Sequence, residues 1–424
     1  MKAYIKTYGC TLNQADSEII ASVLTGNDVQ LSENREDAEV IIVNTCTVKK
    51  ATQQKILYEL SNLQKSNKKV VVTGCMVGAN QDLIEKYAPS ASIITTGNIQ
   101  NITEVVSYAN SGKRTVMTQY NKTDRLMFFS PKDSVIAKIP LSDGCLSSCS
   151  FCETKFARGP LNSFSEDRIL NAIEFSVRKG AKEIQLTAQD TGAYGIDRRS
   201  NITKLMKKIA LIEGDFRVRV GMLNPEHLGR YFDEFIEALE SEKFYKFVHL
   251  PVQSGSNKVL SEMRRFYSIE EFEEQVRELR KNIANITIET DIIVGFPTET
   301  ENDFDLTLDF IKNVKPEVTN MSRFSTRPHA SASKLEQLNY ETINRRSIIL
   351  SRVVRSIQHE INDRFIGNRQ DVIITEANDR SLNGRNEFYK QVVVRKNDSE
   401  RLDVGSKRNV LIYAASANVL YGKQ

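Results

Sequence analysis

The sequence predicts an α/β chain built from parallel sheets wound by helices, and three observations carry that reading. Short β-branched runs at Ala3–Tyr8, Val40–Thr45 and Val70–Gly74 are interleaved with helical stretches such as Ser17–Leu24 and Ala51–Leu63. Between about Ser134 and Arg355, further strand candidates alternate with helical ones: Val135–Pro140, Glu183–Thr187, Arg217–Val220, Phe247–Pro251, Glu289–Val294 and Asn320–Phe324. Such alternation builds a parallel sheet with crossover helices. Finally, 424 residues are too many for one core, at roughly 100–200 residues per domain.

Composition places the chain among ordered proteins, with 40% hydrophobic and 26% charged residues and no low-complexity tract. The first ten residues have no apolar signal region, and no run approaches the length of a membrane span, so a cytoplasmic protein is expected. Net charge is only +4, but Ile366–Gln424 holds ten Lys and Arg against seven Asp and Glu, 10 − 7 = +3. That excess lends weak support to a polyanionic partner, although from charge alone an ordinary solvated surface is the better reading.

All six cysteines lie in the first 152 residues: Cys10, Cys46, Cys75, Cys145, Cys149 and Cys152. A cytosolic glutathione pool opposes disulfides, which leaves metal or redox chemistry. The last three are spaced C-x3-C-x2-C just after the apolar run Val135–Pro140. Three thiolates on one loop can face one point, and zinc would want a fourth ligand that the loop lacks. A cubane iron–sulfur cluster held by three thiolates keeps one iron open. The spacing resembles the hallmark of the radical S-adenosylmethionine superfamily, in which the methionine moiety binds that iron. Cys10, Cys46 and Cys75 each follow a strand candidate. Ligand sites of wound sheets lie beyond the carboxyl ends of their strands, so these three should converge on a second cluster.

Tyr8-Gly9-Cys10-Thr11-Leu12-Asn13, Asn44-Thr45-Cys46 and Thr73-Gly74-Cys75 resemble the amino-terminal motifs of the methylthiotransferases, a resemblance running almost the whole chain. It implies a flavodoxin-like α/β domain with an auxiliary cluster over 1–120. It further implies a partial (β/α)6 radical SAM barrel over 134–360 and an OB-like β-barrel of the RNA-binding TRAM type over 361–424. The implied cofactors are S-adenosylmethionine and two [4Fe–4S] clusters, with a low-potential electron donor such as ferredoxin or flavodoxin. Gln189-Asp190-Thr191-Gly192 and Arg219-Val220-Gly221-Met222 look like the archaeal and eukaryotic branch. That branch converts N6-threonylcarbamoyladenosine, next to the anticodon of tRNA, to its 2-methylthio derivative. Sister branches act on isopentenyladenosine in tRNA or on a ribosomal-protein aspartate, and a nonenzymatic iron–sulfur RNA-binding protein is the alternative of another class. Arg327-Pro328-His329-Ala330-Ser331 departs from the Pro-Gly-Thr-Pro-Ala of many members.

Phe151, between two cysteines, resembles the aromatic residue whose backbone holds the cofactor's adenine. Gln189 and Gln253 follow strands, where their amides either hydrogen-bond the cofactor or cap loops. Gly295 ends another strand, where it allows close approach of the adenine or makes a tight exit. Arg264 and Arg265, beside Phe266 and Tyr267, either meet an anionic or nucleobase ligand or form a solvated face. His249 reads as a core residue. Arg385, Phe388, Tyr389, Lys390 and Arg395 fit a barrel tracking a phosphate backbone with stacking platforms, with one of the two adjacent aromatics inside.

Overall fold

The computed structural model describes residues 1–66, 68–131, 133–395 and 404–423. The chain opens on a six-stranded, all-parallel sheet of β1 (Lys2–Thr7), β2 (Gln30–Leu31), β3 (Val40–Thr45), β4 (Lys69–Gly74), β5 (Ser92–Ile94) and β6 (Val116–Met117). Its order is β2-β1-β3-β4-β5-β6. Every residue of β3 is buried, because helices cover both faces of a wound sheet. β1, β3 and β4 are neighbours, in register at Thr7 with Asn44 and at Thr45 with Gly74. Cys10, Cys46 and Cys75 therefore leave adjacent strand ends.

In the middle of the chain, β7 (Ile136–Pro140) is followed by a short hairpin of β8 (Ser142–Asp143) and β9 (Asn162–Ser163), whose loop carries Cys145, Cys149 and Cys152. Then come β10 (Glu183–Thr187), β11 (Arg217–Arg219), β12 (Phe247–His249), β13 (Thr287–Val294) and β14 (Val318–Arg323). β7, β10 and β11 form one parallel sheet and β12, β13 and β14 another. A parallel bridge from Val218 of β11 to Phe244, three residues before β12, links them edge to edge, and Leu223 N–H donates to the His249 carbonyl at 2.9 Å. No pairing joins β7 to β14 among the described residues, so the six strands make an open, partial barrel. The strands expected from the sequence all occur, within two residues of the expected bounds.

The tail is a closed five-stranded barrel, β15 (Arg369–Ala377), β16 (Ser381–Asn386), β17 (Gln391–Arg395), β18 (Lys407–Ala415) and β19 (Leu420–Lys423), around Val372, Ile374, Leu382, Val392, Val410 and Ile412. The helix Tyr340–Asp363 leads into it, and its Gln358 and Asn362 donate to the Ala417 carbonyl at 3.1 and 3.0 Å. No helix among the described residues is long and apolar enough to cross a membrane.

One expectation for the tail is overturned. Phe388 and Lys390 are buried, and the half-buried Tyr389 turns its ring inward onto Tyr245 and Phe247, so they offer no platform to a nucleic acid. They sit in the turn between β16 and β17, where strand alternation does not apply, and Tyr389 has φ +61°. The turn plugs the amino-terminal end of the partial barrel. Tyr389 packs 4.8 Å from the Tyr245 ring and 4.9 Å from Phe247, and its hydroxyl donates to Glu183 at 3.1 Å. Lys390 donates to the Glu317 carbonyl at 3.2 Å, and burial lowers its pKa to about 8. Tyr389→Ala should cost about 3–5 kcal/mol, from the cavity left between Tyr245 and Phe247 and the loss of one hydrogen bond to Glu183, and lower the thermal midpoint of unfolding. A change under about 1 kcal/mol would contradict the plug.

Candidate active site

The first thiol set grows from the sheet's topology. A β-carbon at Gly9, whose φ is +105°, would lie 2.7 Å from Cys46 Cβ and 3.0 Å from its sulfur, so the Cys10 and Cys46 loops touch. Cys75 opens the short helix Cys75–Ala79, with its sulfur 3.6 Å from Asn13 Oδ1 and 3.3 Å from Arg158 Nε. Burial raises the Cys46 thiol pKa and pushes Cys75 up to about 12, while Cys10 is exposed.

The second set lies on the β8–β9 loop. Gly144 (φ +71°) makes the turn, since a β-carbon there would be 2.1 Å from the Pro160 carbonyl oxygen. Backbone bonds fix the loop: Cys145 N–H donates to Gly159 at 3.2 Å and Ser150 N–H to Met263 at 3.0 Å. Cys145, Cys149 and Cys152 line one cavity of about 320 Å³. Burial pushes Cys145 up to about 12 and raises Cys152.

All six cysteines are free of disulfides. Burial disfavours the thiolate at Cys46, Cys75, Cys145 and Cys152, and a cationic group bound there would stabilise it. Neither set brings its three sulfurs all within 4.8 Å of one another, as the ligands of one ion would be, among the described residues. The donor chemistry fits a multi-iron cluster held by three thiolates better than a mononuclear zinc site.

Between the two sets lies a larger cavity of about 520 Å³, reached by Cys10 from one side and by Cys152 from the other. Phe151 and Gln253 line it. Gln253 has φ +78°, and its N–H donates to the Asp291 carbonyl at 2.8 Å. Gln189 and Gly295 line neither cavity. Gly295 (φ +80°) faces Ile343, 2.6 Å from where a β-carbon would sit, and its N–H donates to Glu299 Oε2 at 3.0 Å. Gln189 is half-buried with its Oε1 unpartnered. Its neighbour Asp190 holds the site instead. Asp190 accepts from Asn224 N–H at 3.0 Å and meets His227 Nδ1 at 2.5 Å, while Asn224 donates to Ser147 Oγ in the cysteine loop at 3.1 Å.

His249 is no plain core residue. Its Nε2 meets Asp291 Oδ2 at 3.1 Å on the cavity wall, and Asn320 Nδ2 donates to Glu289 at 2.6 Å and to Asp291 at 3.0 Å. Alternation along β13 gives the signal in the sequence, since Glu289 and Asp291 share one face. Arg264 and Arg265 part company. Arg264 lines the smaller cavity, whereas Arg265 is buried against Tyr267 Oη at 2.9 Å and Cys149 Sγ at 3.6 Å, out of reach of a nucleic acid.

A buried charge network ties the two sets together. Arg125 contacts Asp16 at 2.5 Å and Asp143 at 3.3 Å, and Arg158 contacts the same two carboxylates at 2.7 and 3.2 Å. The Arg158–Asp16 contact is too oblique for a hydrogen bond, leaving a charge–charge pairing beside the one Arg158 donates to Asn13 Oδ1 at 2.5 Å. Asp143 precedes Gly144-Cys145, and Arg158 also touches Cys75, so one guanidinium spans both cysteine loops. The Arg327–Ser331 segment docks on the first sheet's side. Arg327 donates to the Val48 carbonyl at 2.6 Å and Gln53 at 3.1 Å, and His329 stacks on Phe156 at 4.7 Å and meets the Ala79 carbonyl at 2.8 Å.

Residues 2–96 match the uncharacterized protein family UPF0004, and residues 139–311 match the radical SAM superfamily. Fold and thiol sets together define a radical S-adenosylmethionine enzyme. The chain is 39% identical over 415 residues to the probable threonylcarbamoyladenosine tRNA methylthiotransferase of Pyrococcus abyssi, covering 96% of this chain and 97% of that protein. To the human threonylcarbamoyladenosine tRNA methylthiotransferase it is 34% identical, over 100% of this chain and 74% of that one. It belongs to the family of threonylcarbamoyladenosine tRNA methylthiotransferases, within the radical S-adenosylmethionine superfamily. In fold it is similar to the radical S-adenosylmethionine methyltransferase TsrM of Kitasatospora setae (TM-score 0.60, 14% identity, 78% of this chain and 73% of that one).

Proposed function

We propose that the chain converts N6-threonylcarbamoyladenosine next to the anticodon of an ANN-decoding tRNA to its 2-methylthio derivative, using two molecules of S-adenosylmethionine and two [4Fe–4S] clusters. The observation that carries this reading is the cavity between the two thiol sets, with Cys10 at one side and Cys152 at the other. Replacing a hydrogen on an aromatic carbon with sulfur is beyond any protein acid or base at neutral pH, and the clusters supply the radical and sulfur chemistry.

The chain's own residues supply ligands, position and shelter. Cys145, Cys149 and Cys152 would hold the cluster that meets S-adenosylmethionine, with Phe151 and Gln253 beside the cofactor on the cavity wall. Cys10, Cys46 and Cys75 would hold the auxiliary cluster facing it. Gly295 acts through the turn it makes after β13, and Gln189 lies beside Asp190 just after β10. Arg158 and Asp143 keep the two cysteine loops in fixed relation, and the Arg327–Ser331 segment closes the junction against water. A division into 1–120, 134–360 and 361–424 follows, the last a TRAM-type barrel whose excess of +3 suits a tRNA backbone. Thiolate-held clusters suit a reducing cytoplasm with a low-potential donor such as ferredoxin or flavodoxin.

Mass spectrometry of tRNA nucleosides tests the substrate. A strain lacking this gene should accumulate N6-threonylcarbamoyladenosine and lose its 2-methylthio form, and the wild-type gene should restore it. An unchanged nucleoside profile would overturn the assignment.

A further inference from the structure

Arg323 ends β14 on the wall of the cavity between the thiol sets. Its Nε donates to Ser347 Oγ at 3.0 Å, which anchors the guanidinium plane from the helix Tyr340–Asp363. No carboxylate pairs with it among the described residues, and no hydrogen bond engages its two terminal nitrogens. The other charges near the cavity differ. Arg327 is engaged by Val48 and Gln53, and Asp291 is met by His249 and Asn320. Lys49 is a flexible ammonium whose charge acts on Asp291. Of the wall carboxylates, Asp291 is met by His249 and Asn320, and Glu153 accepts from Thr47 through Oε1 and lies 4.0 Å from Arg327, so Arg323 is a pre-oriented, two-pronged donor that no wall carboxylate engages.

A planar guanidinium with both terminal nitrogens free matches a carboxylate bidentately, with a specificity that an ammonium lacks. Adenine is neutral, and so are the carbamoyl and hydroxyl groups of a threonylcarbamoyl substituent. Its α-carboxylate, ionised above a pKa of about 3.5, is the one charge that marks the modified base. We propose that Arg323 binds the threonyl carboxylate of the substrate base and so sets the preference for the threonylcarbamoyl form. The inference rests on the substrate assignment above.

The test uses anaerobically reconstituted wild-type enzyme, Arg323→Gln and Arg323→Lys. The RNAs are two anticodon stem-loops, one carrying N6-threonylcarbamoyladenosine and one its threoninamide counterpart, equal in shape but uncharged. Dissociation constants, kcat/KM for methylthio product and RNA-independent formation of 5′-deoxyadenosine are measured. Wild type should favour the carboxylate RNA by about ten- to a hundredfold, as expected for a charged hydrogen-bonded pair. Arg323→Gln should lose that factor on the carboxylate RNA and leave the amide RNA unchanged, with Arg323→Lys in between. An equal loss on both RNAs would show a phosphate contact or a structural role and overturn the inference. Loss of RNA-independent 5′-deoxyadenosine would overturn it too, by placing Arg323 on S-adenosylmethionine. If wild type binds both stem-loops and methylthiolates neither, the substrate assignment itself fails.

Discussion

A chain with Cys10, Cys46 and Cys75 all replaced by alanine should still release 5′-deoxyadenosine from S-adenosylmethionine, while its methylthio product falls below detection. The two thiol sets are built separately. Cys145, Cys149 and Cys152 are held by the β8–β9 hairpin and by the Gly159 and Met263 carbonyls, none of which involves the first sheet. Cys75 does touch Arg158, yet alanine there leaves the Arg158 contacts with Asp16, Asp143 and Asn13 in place. The second set should therefore keep its shape. Persistent methylthio product would show that the sulfur reaches the base without the first set. Loss of 5′-deoxyadenosine from a folded variant would show that the two sets do not divide the work.

Arg125→Met should lower stability by about 3–5 kcal/mol. Two guanidiniums and two carboxylates meet there, with Arg125 and Asp16 fully buried and Arg158 and Asp143 nearly so. Removing one cation leaves a net buried negative charge, which costs far more than the net worth of the pair. Asp16→Asn in the same chain removes that surplus charge and should recover part of the loss, which a double-mutant cycle on unfolding midpoints measures. A single-variant loss below about 1 kcal/mol, the range of an exposed pair, would contradict the network's burial.

That network was invisible in the sequence for a physical reason. Arg125 and Asp16 are 109 residues apart and Arg158 and Asn13 are 145 apart, and nothing local in a lone Arg reveals which carboxylate it will meet. The strands were legible because β-branched runs of parallel-sheet length carry their own signal, and β3, with every residue buried, shows it most strongly. That Cys10, Cys46 and Cys75 leave neighbouring strand ends was legible because sheet topology alone decides it. Tyr389 misled because an aromatic next to basic residues fits an RNA platform and an interdomain plug equally well in one dimension. Its positive φ and its partners Tyr245 and Glu183 belong to the assembled chain. Arg265 misled in the same way, its guanidinium turning inward to Tyr267 and Cys149.

The central claim is that six cysteines form two three-thiolate sites facing one cavity. Iron and acid-labile sulfide, counted per chain after anaerobic reconstitution, test it most directly when wild type is compared with alanine triples at each set. The account predicts about eight irons and eight sulfides in wild type, and about four of each in either triple variant. Four irons in wild type, unchanged when Cys10, Cys46 and Cys75 are all alanine, would contradict it.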